Sequence, residues 1–431
     1  MKKFDYLIFT FITLLFAPTL YSHNHSWSIS QDHVIFQDTS KLMVFSGKVV
    51  DKNSGDPVVF ANVFITETRI GTVTNSDGEF IIKVSFSSSG KIGVAHIGYT
   101  TSLVSIEALK PEGNIIELTP APYPIREVTI RNEDPMELIR QAVNNIPKNY
   151  SVDPVMMTSF YRETVKQNRS YVAIAEAVLD AYKSSYKKFS ETDRVRVYQG
   201  RKSQDVKKMD TVFFKFQGGP YTSFLLDVAK NPGELLSPES FKFYDYSMGG
   251  IISINETMAY VIDFDQKLMV DFPLYKGKLY LDMDNLAIVG VEFGISPKEI
   301  DRASEYLIRK KPLGMSIDVL NANYLINYRK INDIWYLSYV RTELKFRVKW
   351  KKQLFRSMYT TTSEMAVTDI DPENLEKFKF KETTKLTDIF VEEVQDFEDP
   401  DFWGDHNIIK PDESIEAAIE KLSKKLKRRN D

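Results

Sequence analysis

The chain has no cysteine in its 431 residues. That excludes disulfides, a cysteine nucleophile, thiolate metal sites and the lipidated cysteine of a bacterial lipoprotein. Histidine is scarce: His23, His25, His33, His96 and His406 are the whole set. None stands in the H-E-x-x-H or H-x-x-E spacing that a catalytic zinc site uses. Strong net charge is missing too, with 56 Lys and Arg against 59 Asp and Glu and a formal charge of -3. Nucleic acid selects basic surface, so it is not an expected partner. Beyond residue 22 no apolar run is long enough to cross a bilayer as a helix. There is no G-x-S-x-G elbow for a serine nucleophile. The turn D282-M-D-N-L-A puts Ala287 where a calcium loop of the EF-hand type needs glycine.

What is present points to a globular, strand-rich, exported protein. Hydrophobic content is 43% and charged content 27%, which rules out wholesale disorder. Aromatics reach 13%, and aromatic side chains suit pleated, half-buried surfaces. The length allows two or three domains with their own cores. Residues 1–22 read as a signal peptide: Lys2 and Lys3, then an apolar stretch from Leu7 to Ala17 too short to span a membrane. An uncleaved N-terminal anchor is the alternative. Cleavage after Ser22 leaves a polar leader over 23–40 that begins His23-Asn24-His25. Such a terminus offers square-planar nitrogen ligands to Cu(II) or Ni(II), whereas the plain reading is an unstructured leader. No cofactor is expected.

From residue 41 to 130 the grammar is that of a small antiparallel β-sandwich. Phe45, Gly47 and Val49 alternate, as do Ala61, Val63 and Ile65, and then Phe80, Ile82 and Val84. The cluster N53-S-G-D-P57 marks a turn, and Asn75-Ser76-Asp77-Gly78 marks a hairpin. The ordered pieces G47-K-V-V-D, A61-N-V-F-I, G71-T-V-T-N-S-D-G-E-F, I97-G-Y and E127-V-T-I resemble the carboxypeptidase-regulatory-like domain, a transthyretin-like sandwich. The resemblance implies a structural or docking module of the kind that opens Bacteroidota envelope proteins, including TonB-dependent receptors. A receptor barrel itself is not expected: 22 strands of roughly ten residues plus a plug do not fit into the residues that follow the sandwich.

A helical connector is expected over 131–150, with Asp134 as N-cap, Pro135 in the first turn, Glu137 completing a capping box and Pro147 ending it. Residues 151–400 read as an antiparallel, half-barrel-like β domain with a few helices. Tyr171 to Tyr182 reads as strand because Val172, Ile174 and Val178 are β-branched at even spacing, and a short helix is expected from Tyr221 to Ala229. The alternation of Glu343, Lys345, Arg347, Lys349 and Lys351 with Leu344, Phe346, Val348 and Trp350 gives a strand with one charged face. The segment Y275-K-G-K-L-Y-L-D-M-D-N-L-A-I-V-G-V-E-F resembles the strand–turn–strand of the LolA/LolB-like lipoprotein carriers, whose curved sheet wraps an apolar concavity. With F160-Y-R-E163 and F402-W-G-D-H-N-I-I-K-P411, the whole order resembles a family of Bacteroidota proteins that begin with the regulatory-like domain. The region 401–431 carries a C-terminal amphipathic helix from Asp412, acidic early and basic late.

No catalytic or metal site emerges. Asp263, Asp265, Asp271, Asp282 and Asp284 include carboxylates that a glycosidase pair would need, but acids at strand ends are ordinarily solvated. Phe264, Leu279, Leu281, Val289, Val291 and Trp335 form either an apolar ligand surface or a packing surface. In F160-Y-R-E163, Phe160 and Arg162 face one way and Tyr161 and Glu163 the other. Tyr161, Arg162, Glu163, Phe402 and Trp403 are therefore structural or interface candidates, with a cross-strand ion pair the favoured role for the charges. Basic clusters at Arg194–Lys208 and Arg341–Lys352 either solvate strand faces or meet anionic lipid. The expected function is non-enzymatic binding or scaffolding at the periplasmic side of the outer membrane, with an envelope protein or lipid as partner. The alternatives are a carrier of a lipid or other apolar ligand and a periplasmic hydrolase.

Overall fold

Two strand systems follow from the two alternation patterns. The computed structural model describes residues 12–13, 42–85, 90–121, 133–204, 215–216, 219–254, 257–308, 313–351, 355–396 and 402–430. The expected leader, with His23, His25 and His33, and the expected strand at Glu127–Ile130 lie outside the described residues, as does the expected signal peptide except for Ile12 and Thr13.

The first module is a two-layer sandwich. Strands β1 (Leu42–Asp51), β4 (Glu79–Ser85) and β7 (Asn114–Leu118) form one sheet, in the order β4-β1-β7. Strands β2 (Asn62–Ile65), β3 (Gly71–Val73), β5 (Lys91–Ala95) and β6 (Ser102–Ser105) form the other, in the order β3-β2-β5-β6. Phe45, Val49, Val63, Phe80, Ile82 and Val84 meet between the layers in a core drawn from this module alone. Two expectations are corrected. The turn at Asn75–Gly78 is not a hairpin, because β3 and β4 belong to different sheets. It is an arch, held by Asn75 Oδ1 accepting from the N–H groups of Asp77 and Glu79. The module is also not wholly antiparallel, since β1 and β7 pair in parallel.

Helix α1 (Pro135–Asn149) starts as read, with Asp134 Oδ1 accepting from Met136 N–H at 3.0 Å. Glu137 does not reach back to the cap but accepts from Gln141. Pro147 does not end the helix, which runs two residues further; in the last turn its missing N–H removes a single hydrogen bond.

The large sheet is an antiparallel meander that is not closed into a barrel. Its strands are β8 (Val155–Gln167), β9 (Ser170–Lys183), β10 (Arg194–Gln204), β11 (Tyr244–Ile254), β12 (Thr257–Gln266), β13 (Tyr275–Asp282), β14 (Ile288–Ile295), β15 (Met315–Ile331), β16 (Ile334–Trp350) and β17 (Ser357–Asp371). The order is β11-β12-β13-β14-β15-β16-β17-β8-β9-β10, with the two-residue β18 (Gln395–Asp396) parallel on the β10 edge. The last long strand thus pairs with the first. Asn332 and Asp333, both at positive φ, make the tight turn between β15 and β16, strands of 17 residues each, which is chemistry Asn and Asp tolerate.

One face of this sheet, the inner face, carries α1, α2 (Gly219–Leu225) and the segment that follows α2. The other, outer face carries the sandwich and the C-terminal chain. Helix α3 spans Glu413–Asn430 and lays Ile415 against Ile174.

Candidate functional site

The inner face is filled. Gly290 on β14 faces the sandwich, where a Cβ would come within 3.1 Å of Ile97, so the alternating Val289 and Val291 point inward. Leu279 lies opposite Val291, and Leu281 shares its face; Phe264 shares the face of Ile262, opposite Leu279. Trp335 sits beside Tyr150 at the end of α1. All six are buried, and all join one core with Leu138, Ile139, Ala142 and Ile146 of α1 and with Phe224, Leu226, Val228, Leu235 and Phe241. They are a packing surface here rather than an open groove. The segment after α2 is pinned by a buried ionic knot. Asp227 accepts from Lys183 at 2.7 Å, from Tyr186 at 2.6 Å and from Tyr328 at 2.8 Å, and Asp193 holds the same ammonium at 2.6 Å. Burial works against the Lys183 charge, but the two carboxylates raise its pKa above the ordinary lysine value.

The outer face carries the polar site. Phe160 and Arg162 point here and Tyr161 and Glu163 point inward, as the strand period requires. In register across five neighbouring strands stand Arg201 (β10), Glu176 (β9), Arg162 (β8), Glu364 (β17) and Arg341 (β16). Arg162 Nε donates to Glu176 at 2.7 Å, its Nη1 to Glu364 at 3.0 Å, and its Nη2 to the Ile409 carbonyl at 2.7 Å. Arg201 meets Glu176 at 3.1 Å and Arg341 meets Glu364 at 3.2 Å. Desolvation opposes the Arg162 charge, and the flanking carboxylates override it to raise its pKa. A one-residue slip of any strand would turn its charge to the other face, so the ladder pins the register, including the non-local pairing of β17 with β8.

On this ladder lies a strap, residues 402–412, which joins the sandwich to the sheet. Trp403 packs edge-on against Phe160 at 5.3 Å, and the Arg201 guanidinium stacks on it at 4.6 Å. Phe402 packs on Trp403, and its carbonyl accepts from Gln199. Towards the sandwich, Thr72 donates to the Ile408 carbonyl, Asn75 to Pro411, and Asn407 exchanges two hydrogen bonds with the Lys83 backbone. Lys410 pairs with Glu79 at 2.7 Å. Ser76 donates to Asp412 at 2.5 Å; burial alone would raise that carboxyl, but Ser414, Ser76 and the Ile415 N–H hold it below its ordinary value. A polar cavity of about 120 Å³, room for roughly four waters, opens between the three parts, beside Asn75, Arg162, Lys166, Arg341, Glu364 and Asp412.

A second anchor is Arg329 on β15. Its guanidinium donates to the carbonyls of Arg69 and Ile70 in the sandwich, at 2.7 and 3.0 Å. Burial pushes its pKa down to about 10. Gly71 makes this approach possible, since a Cβ there would overlap that guanidinium.

Sequence reading brought forward Arg162, Phe402 and Trp403, which the structure gathers at this junction. It missed Glu176, Arg201, Arg329 and Glu364, and also the Lys183–Asp227 knot. Glu176 and Lys183, charged residues within the long apolar run of β9, were the available signal. Within the basic clusters Arg196 pairs with Asp180 and Glu376, Arg201 with Glu176, and Arg341 with Glu343 and Glu364, whereas Lys349 and Lys351 are exposed. Glu163, on the inner face, accepts from Tyr161 at 2.5 Å, and burial raises its pKa to about 8. Among the acids, Asp265 binds Ser296 and Lys298, and Asp282 caps its own turn. Among the described residues no group of three His, Asp or Glu could hold a metal ion, and no helix is long and apolar enough to cross a membrane.

Residues 45–130 match the CarboxypepD_reg-like domain. No curated protein matches the chain. Among solved structures, a LolA superfamily protein from Nitrosomonas europaea is similar at 11% identity, over 59% of this chain and 98% of that one, with a TM-score of 0.22. A DUF1329 family protein from Desulfovibrio piger is similar at 10% identity, over 58% and 99%, with a TM-score of 0.26. At such TM-scores the superposition is too loose to carry a function to this chain.

Proposed function

We propose that this chain is a non-enzymatic binding or scaffolding protein of the bacterial envelope, exported by its first 22 residues and working on the periplasmic side of the outer membrane. The observation that supports this most is the strap. A buried charge ladder, an anchoring arginine and the strap over 402–412 hold the regulatory-like sandwich at one fixed orientation on the large sheet. A scaffold needs such rigidity between two display surfaces, because a partner that touches both then loses less freedom on binding.

The filled inner face weighs against the carrier. A lipid would have to displace α1 or the segment pinned by Asp227 to reach Leu279 and Trp335. The dispersed acids weigh against a hydrolase, since Asp265 and Asp282 are each engaged in local structure. Titration of the delipidated full chain with a fluorescent fatty acid tests the choice. The scaffold reading expects no saturable binding. Stoichiometric, saturable binding would overturn it in favour of the carrier. N-terminal sequencing of protein from the envelope fraction, with His23 expected first, checks export.

A further inference from the structure

The most exposed large apolar side chains of the large sheet stand at reversals on the side away from the β15–β16 turn. The chain reverses there between β12 and β13, between β14 and β15, between β16 and β17 and between β8 and β9. Leu268 and Met269 in the first reversal are each 85% exposed, Leu313 before β15 is fully exposed, and Phe355 before β17 is 83% exposed. Scattered single exposures are ordinary, but Leu313 and Phe355 stand at the tips of neighbouring reversals at one end of one sheet. Leu313 and the β16–β17 reversal are adjacent, because the Lys351 N–H donates to the Gly314 carbonyl. The β8–β9 reversal joins them, with Asn168 N–H donating to the Met358 carbonyl.

Charge sorts with these tips. Around Leu313 and Phe355 the exposed ions among the described residues include Lys349, Lys351, Arg356 and Arg169, with Asp318 and, further back in the β14–β15 connection, Asp301 and Glu305 as the acids. Around Leu268 and Met269 the signs are mixed, with Lys276 and Lys298 both near Asp265. The basic end is therefore the β15–β16–β17 end. Protruding apolar side chains beside exposed cations match an anionic bilayer: the tips enter the acyl boundary and the cations remain with the lipid phosphates. A folded protein partner would call for a broader, flatter apolar patch.

We propose that this rim docks peripherally on an anionic phospholipid surface, with Leu313 and Phe355 as the inserting side chains and Lys349, Lys351, Arg356 and Arg169 as the headgroup contacts. The inference rests on the rim alone and not on the scaffold reading, because it requires neither a protein partner nor an empty inner face.

The test is co-sedimentation of the full chain with phosphatidylglycerol/phosphatidylcholine vesicles and with phosphatidylcholine vesicles. The expected result is partition to the mixed vesicles at least tenfold above that to phosphatidylcholine, falling at high salt. The double variant Leu313→Ser/Phe355→Ser should lose at least tenfold of this with an unchanged Tm, since both positions are exposed. The charge variant Lys349→Glu/Lys351→Glu/Arg356→Glu should abolish the preference for anionic lipid. Wild-type partition by the double variant, or equal partition to both vesicles, overturns the proposal. So does a concentration-dependent dimer that the double variant abolishes while vesicle binding is absent, which would make the rim a contact between copies of this chain.

Discussion

Replacing Arg162 with methionine removes the centre of the charge ladder while keeping much of the side-chain volume. The substitution deletes ion pairs to Glu176 at 2.7 Å and to Glu364 at 3.0 Å, and strands the Ile409 carbonyl. Breaking a buried pair from one side costs about 3–5 kcal/mol, because the remaining charge stays desolvated. Two carboxylates are affected here, but neither is abandoned. Glu176 keeps Arg201, and Glu364 keeps Arg341 and the Tyr339 hydroxyl. The lower end of the range, about 3 kcal/mol, is therefore expected. At roughly 2–4 °C per kcal/mol, Tm should fall by about 6–12 °C. The strap should also loosen, so limited proteolysis should cut within 402–412 sooner than in the parent. A double-mutant cycle with Glu364→Gln should give a coupling above about 1 kcal/mol. A variant within about 1 kcal/mol of the parent, with unchanged cleavage of the strap, would refute the view that the ladder holds the junction together.

Glu163 should make stability fall as pH rises. Its folded pKa, about 8, lies above the ordinary 4.5, so between these values the folded chain holds a proton that the unfolded chain has lost. Stability declines through that window and levels off above it; Glu163→Gln should flatten the decline in denaturant titrations at pH 5 and pH 8, and an unchanged slope would show that Glu163 does not hold that proton. Gly71→Val should push the sandwich off Arg329 without unfolding either part, seen as faster hydrogen exchange at Arg69–Ile70 with a retained sheet signature; unchanged exchange there would mean that the contact does not set the orientation. The isolated sandwich, residues 41–130, should fold alone, because its core draws on no residue of the large sheet; a flat circular dichroism spectrum would contradict this. The full chain should show no chelator-sensitive peptidase activity, and stoichiometric zinc with such activity would show a ligand set assembled from distant residues.

The strands were legible because their period is local. Phe80, Ile82 and Val84 are all fully buried, and Leu344, Phe346 and Val348 alternate with charged neighbours as read. The facing of Phe160 and Arg162 against Tyr161 and Glu163 follows from that period too. What the period cannot say is which strand lies beside which. Arg162 and Glu364 are separated by 202 residues, and their meeting depends on β17 returning to β8. The strap was visible as F402-W-G-D-H-N-I-I-K-P411, yet its lodging between two modules rests on contacts to Thr72, Asn75 and Lys83, far away in sequence. The arch at Asn75–Gly78 was misread as a hairpin for the same reason: the turn residues define a reversal, and only the two-layer packing decides whether the strands pair.

Native mass spectrometry of the protein purified from its native source, without added lipid, decides whether the inner face is filled. The expected mass is that of the processed chain alone or with a stoichiometric protein partner, with no bound lipid surviving desolvation. A lipid retained at one equivalent, and lost when Leu279 is replaced by tryptophan to fill the space, would contradict the filled inner face and make the protein a carrier.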